Sequence, residues 1–91
     1  MNKITIFGNS ETCSPCQQLK KFLYEIGEEE YEFKDFAEKD KDIRLKYKSE
    51  LMSYLSKGEV ANIPMILINN HPKIVGFNEE TKSKILQYLE K

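Results

Sequence analysis

The chain has two cysteines, Cys13 and Cys16, and they stand where a strand-like pattern gives way to a helical one. That junction restricts the fold more than any other feature. Lys3-Ile4-Thr5-Ile6-Phe7 is β-branched and aromatic and reads as a buried strand, stopped by Gly8-Asn9. From about Ser14 to Ile26, Leu19, Phe22, Leu23 and Ile26 recur at helical spacing. Lys20 and Lys21 lie on the opposite face, and Gly27 ends the run. A bridge between the cysteines closes so short a loop that it takes little entropy from the unfolded chain. Stapling is a poor reason for the pair. Redox chemistry and metal binding are better ones.

The alternation continues along the chain. Glu28-Glu29-Glu30 reads as a solvated connection, after which Tyr31, Phe33 and Asp35 alternate with Glu32, Lys34 and Phe36 and predict a second strand. A longer helix is predicted from about Asp40 to Lys57. Its apolar stripe is Ile43, Tyr47, Leu51, Tyr54 and Leu55, and Gly58 closes it. Ile63-Pro64-Met65-Ile66-Leu67-Ile68 is the most apolar stretch. The turn formers Asn69-Asn70-His71-Pro72 let Lys73-Ile74-Val75 return as an antiparallel partner, which Gly76 breaks. Asn78 is placed to cap a last helix, with Glu79 and Glu80 in its first turn and Ile85, Leu86 and Leu89 docking it. The order β-α-β-α-β-β-α predicts an α/β fold, a single domain over residues 1–91. Its four-stranded mixed sheet carries helices on both faces, with the first two strands parallel.

Composition narrows the function. With 91 residues, 40% hydrophobic and 32% charged, the sequence is that of an ordinary soluble domain. A formal net charge of -1 asks for neither nucleic acid nor an anionic membrane as partner. The stretch from Met1 to Gly8 lacks the apolar length of a signal-peptide core, and no later run approaches a membrane span. A cytosolic location is expected, where isolated structural disulfides rarely persist.

If Cys13 occupies the N-cap of the first helix, its sulfur can accept the backbone N–H of Cys16. The free amides and dipole of the helix start then favour a thiolate. Pro15 suits the first turn, where a missing N–H breaks no bond. Cys16, three residues on, returns to the same side and can resolve a mixed disulfide formed by Cys13. The metal reading is weaker. Zinc wants four ligands in structural sites and three in catalytic ones, and only Cys13, Cys16 and the turn residue His71 are on offer.

The chain resembles the glutaredoxins and related small thioredoxin-fold proteins. Cys13-Ser14-Pro15-Cys16 after the first strand, Asn62-Ile63-Pro64 before an apolar strand, and Gly76-Phe77-Asn78 before the last helix carry the resemblance. It implies Cys13 and Cys16 as catalytic residues, supported by Pro15 and by a cis Pro64 facing them. It also implies a substrate surface of Asn62, Ile63, Gly76, Phe77 and Asn78, with the Ile63 backbone pairing to an extended segment.

The partners so implied are disulfide-containing proteins, ribonucleotide reductase among them. No cofactor is bound; glutathione or a thioredoxin-reductase-type enzyme supplies electrons to a monomer. An iron–sulfur cluster held through Cys13 and glutathione, and a redox-inactive interaction module, are the alternatives. Departures from the pattern bear on glutathione. Phe77 replaces the second glycine of a common Gly-Gly pair, and Ser10-Glu11-Thr12 stands where many relatives have a lysine.

Overall fold

The structure, a computed structural model, describes residues 2–91. Strands β1 (Ile4–Gly8), β2 (Glu32–Asp35), β3 (Met65–Ile68) and β4 (Ile74–Val75) form one sheet in the order β2-β1-β3-β4. β1 runs parallel to β2 and antiparallel to β3, and β4 is antiparallel to β3, as the element order predicts. The cause is connectivity. Helix α1 (Ser14–Glu25) carries the chain back along the sheet before β2 begins, whereas a tight turn joins β3 to β4.

Side-chain alternation along β1 divides the core in two. Ile4 and Ile6 join Ile66, Ile68 and Ile74 on one face, where Leu19 and Leu23 of α1 pack with Ile85 and Leu89 from helix α3 (Glu79–Tyr88) and its end. Phe7 and Met65 face the other side and meet Leu51 of helix α2 (Lys41–Met52). The first cluster has nine buried members and the second three. Each such side chain contributes about 1.5–3 kcal/mol on burial, so most of the hydrophobic stabilisation lies between the sheet and the α1/α3 layer. None of the described helices is long and apolar enough to cross a membrane.

The end of α1 is a Schellman motif. Gly27 takes φ +82°, its amide bonds the Tyr24 carbonyl at 3.1 Å, and the Glu28 amide bonds Leu23 at 2.8 Å. The second helix departs from the sequence pattern. It ends at Met52, not near Lys57, and Gly58, at φ +83°, belongs to a later turn. Past Met52 the Tyr54 and Leu55 amides reach only three residues back, and the Ser53 hydroxyl takes the Glu50 carbonyl at 2.6 Å. Of the expected stripe only Leu51 is buried; Ile43 and Tyr54 are 39% and 47% exposed. Periodicity reports which residues share a helix face, not how much of that face a sheet covers. Here α2 is seated chiefly by its C-terminal end, against Phe7, Phe36 and Met65.

Candidate active site

Asn9 to Thr12 carry the chain from β1 into α1, and hydrogen bonds hold this connection throughout. The Asn9 side-chain carbonyl accepts the amides of Glu11 and Thr12 at 2.9 and 3.1 Å, and its backbone carbonyl accepts the Cys13 amide at 3.1 Å. Ser10 donates its amide and hydroxyl to the Asp35 carboxylate at the end of β2, which also takes the Ala37 amide. The Gln17 side chain reaches back to the Ser10 carbonyl.

Cys13 is thereby delivered to the N-cap of α1 with extended backbone, and the Cys16 amide donates to its sulfur at 3.2 Å. The two residues form a disulfide with their Cα atoms 5.2 Å apart. Cys13 is 9% exposed and Cys16 fully buried, so Cys13 is the more accessible of the two. Pro15 lies in the first turn, where the helix needs no donor from it.

The sequence placed Gly8 only as a strand stop. In the structure it is the last residue of β1, paired with Asp35, and the sulfur sits on it. A Cβ at Gly8 would lie 2.7 Å from Cys16 Sγ and 2.9 Å from the edge of Phe33. A glycine ending the strand beside the motif was the only signal for this close approach, and it has another common reading. Lys20 also moves from its expected place on the solvent face. Its ammonium stands 3.9 Å from the centre of the Phe33 ring, which like Cys16 Sγ closes in on Gly8.

Asp35 connects this end of the sheet to the loop. Burial raises its carboxyl pKa, but the Ser10 hydroxyl and amide, the Ala37 amide and the Lys20 charge together outweigh burial and hold it below the ordinary 3.8. A depressed folded value stabilises the native state above the unfolded pKa, and that contribution is lost as pH falls through the folded one. Thermal melts of the wild type should therefore drop more steeply with pH below about 4 than melts of Asp35→Asn. Parallel curves for the two proteins would show that the loop does not depend on this charge.

The Ile63–Pro64 peptide is cis. β3 pairs Met65 with Phe7, and one further step of that register sets Pro64 across from Gly8, on which Cys16 rests. On the other side the Pro64 carbonyl accepts the Gly76 amide at 2.8 Å. Pro64, Gly76 and the cysteines thus gather at one end of the sheet. Gly76 needs its φ of +86°, not space, since a Cβ there would meet nothing.

The other candidate residues are placed differently. The half-buried Phe77 lays its ring against Phe22 of α1 at 5.6 Å, beneath the Lys82 ammonium at 5.3 Å, so much of its apolar surface is spent on packing. Asn78 caps α3 in a closed box: Thr81 donates its amide to the Asn78 side chain, and the Thr81 hydroxyl accepts the Asn78 amide at 2.8 Å. Asn62 is exposed and makes a 3.4 Å contact with the Val60 carbonyl. His71 stacks on Tyr88 at 4.2 Å in the β3–β4 turn, the end of the sheet away from the cysteines. Among the described residues no three His, Cys, Asp or Glu side chains converge on a metal site.

A four-stranded mixed sheet, helices on both faces and a Cys-x-x-Cys disulfide at the first strand–helix junction define a thioredoxin-fold protein. Within that fold the chain is similar in structure to two glutaredoxins. It is similar to the crystal structure of a glutaredoxin from Archaeoglobus fulgidus, with TM-score 0.75 and 21% identity over all of this chain and 89% of that one. It is also similar to glutaredoxin 1 from Francisella tularensis, solved in complex with cacodylate, with TM-score 0.66 and 22% identity over the full length of both. No protein-family model matches the sequence, and no curated protein matches it.

Proposed function

We propose that this chain is a dithiol–disulfide oxidoreductase that reduces disulfides in proteins of the cytosol, acting as a monomer. The asymmetry of the pair carries the reading: Cys13, at a helix start, is the more accessible, while Cys16 is buried behind it with its amide on the Cys13 sulfur. In the reduced protein the Cys13 thiolate attacks one sulfur of the substrate, forming a mixed disulfide and expelling a substrate thiolate. Cys16 gives up its proton and attacks Cys13 Sγ, which releases the second substrate thiolate. Two electrons pass to the substrate and the Cys13–Cys16 disulfide forms. The structure corresponds to this oxidised state.

The Ile63 amide and carbonyl are the natural partners for an extended substrate backbone, since neither is engaged by another backbone group among the described residues. Reduction of the enzyme is the finer question, and the start of α3 bears on it. The capping box uses the amides of Asn78 and Thr81, which leaves a glutathione carboxylate the Glu79 and Glu80 amides beside their own carboxylates. Glutathione with its reductase should therefore turn the protein over more slowly than a flavin-dependent thioredoxin reductase does. An electron-supply assay comparing the two on one protein disulfide tests this, and faster turnover with glutathione refutes the preference. Ribonucleotide reductase, whose turnover consumes two electrons from an external dithiol, is the substrate we place first.

A further inference from the structure

We propose that Lys73, outside the redox motif, is a positioning residue for the protein substrate: it anchors the turn at Glu59, from which the chain runs on to Ile63 at the redox end of the sheet. The proposal rests on the oxidoreductase reading above and adds to it the group that anchors the approach to the substrate-binding edge. Residues 53–64 link α2 to β3 with neither helix nor strand, a long connection for so small a domain. Its early part is knit by short-range turns, and the Glu59 amide bonds the Ser56 carbonyl at 2.9 Å. Past Glu59, Val60 is 75% exposed, and the contact of Asn62 with its carbonyl is a long 3.4 Å. Left to itself, this stretch would lose backbone freedom on every binding event, and that loss subtracts from affinity.

Lys73 supplies a tether from elsewhere in the chain. The register of β3 and β4 sets it one step beyond the Ile66–Ile74 pair, on the same face as Val75, the face that α2 covers. From there its ammonium donates to the Tyr54 carbonyl at 2.8 Å and to the Glu59 carboxylate at 3.0 Å. The same Glu59 oxygen accepts the Ser56 amide at 2.8 Å. No basic residue stands in the last turn of α2, so Lys73 also brings the cation that this helix end lacks. The lysine and glutamate side chains are 23% and 31% exposed, so the pair is partly shielded from solvent. The Ser56 amide first, and then Lys73, hold the Glu59 carboxyl below its ordinary value, in keeping with a formed contact. One side chain thus joins the end of α2, the turn at Glu59 and the start of β4, immediately before the segment that runs into Ile63-Pro64.

The test is steady-state reduction of insulin disulfides by the full chain, with dithiothreitol as electron source, for wild type, Lys73→Gln, Lys73→Arg and Glu59→Gln. Loss of the tether should raise the KM of Lys73→Gln roughly three- to tenfold, with kcat and the alkylation rate of reduced Cys13 unchanged. Lys73→Arg should restore a KM close to wild type, because it keeps both bonds. Glu59→Gln retains the Tyr54 contact and should show a smaller rise, which keeps the proposal testable should Lys73→Gln fail to fold. An unchanged KM in a folded Lys73→Gln overturns the inference alone. So does a fall in kcat and alkylation rate alongside the KM, which would mark a general structural role. Absence of turnover by the wild type instead overturns the oxidoreductase reading, and the inference with it.

Discussion

Cys13→Ser abolishes reduction of a protein disulfide, and Cys16→Ser converts the protein into a trap that ends as a mixed disulfide on Cys13. The largest effect is expected here because the two sulfurs are not equivalent in the fold. Cys13 is the less buried of the two, and the amide of Cys16 and the start of α1 stabilise negative charge on it. A serine hydroxyl has no accessible anion near neutral pH, so no amount of orientation replaces the thiolate. Cys16, fully buried, reaches only the sulfur beside it, and without it the mixed disulfide has no internal route to resolution. Mass spectrometry of each variant after incubation with a disulfide substrate reads the outcome. In the reduced wild type Cys13 should alkylate first; faster labelling of Cys16 would reverse the assignment.

Gly8→Ala should damage the site from outside the motif. The added methyl would stand 2.7 Å from Cys16 Sγ and 2.9 Å from Phe33, closer than side chains tolerate. β1 cannot easily yield, because it is an interior strand paired on both sides and the Phe36 amide bonds the Gly8 carbonyl at 2.8 Å. Nor can Phe33 swing freely with Lys20 over its ring. The strain should fall on Cys16 and the first turn of α1, at a cost of about 1–3 kcal/mol for overpacking. For a domain of this size each kcal/mol lowers the melting temperature by about 4–8 °C. The displaced Cys16 should also resolve mixed disulfides slowly, so the covalent complex accumulates during turnover. A variant with unchanged melting temperature and unchanged resolution rate would show that the sulfur does not rest on this backbone.

Much of this was legible along the chain, for local reasons. Strand and helix periods, the N-cap roles of Cys13 and Asn78, and the C-terminal glycine after α1 depend on residues a few positions apart, and neighbouring side chains alone decide them. The strand order follows almost as directly, because an intervening helix makes β1 and β2 parallel and a tight turn makes β3 and β4 antiparallel. The Cys-x-x-Cys pair needed only its place at a helix start to suggest its chemistry.

What the tertiary structure decided are contacts between residues remote in sequence. The approach of Cys16 to Gly8, the hold of Asp35 on Ser10, and the reach of Lys73 to Tyr54 and Glu59 each join different elements. None leaves a periodic trace, because a single hydrogen bond or a missing Cβ repeats nowhere along the chain. The extent of α2 belongs to the same class. Ile43, Tyr47 and Leu51 share one face of that helix, but only the sheet determines that its C-terminal end is covered most, leaving Ile43 39% exposed. Phe77 shows how the two levels meet. Its identity sets it apart from a glycine pair in the sequence, while Phe22 and Lys82, arriving from two helices, turn its ring toward the core.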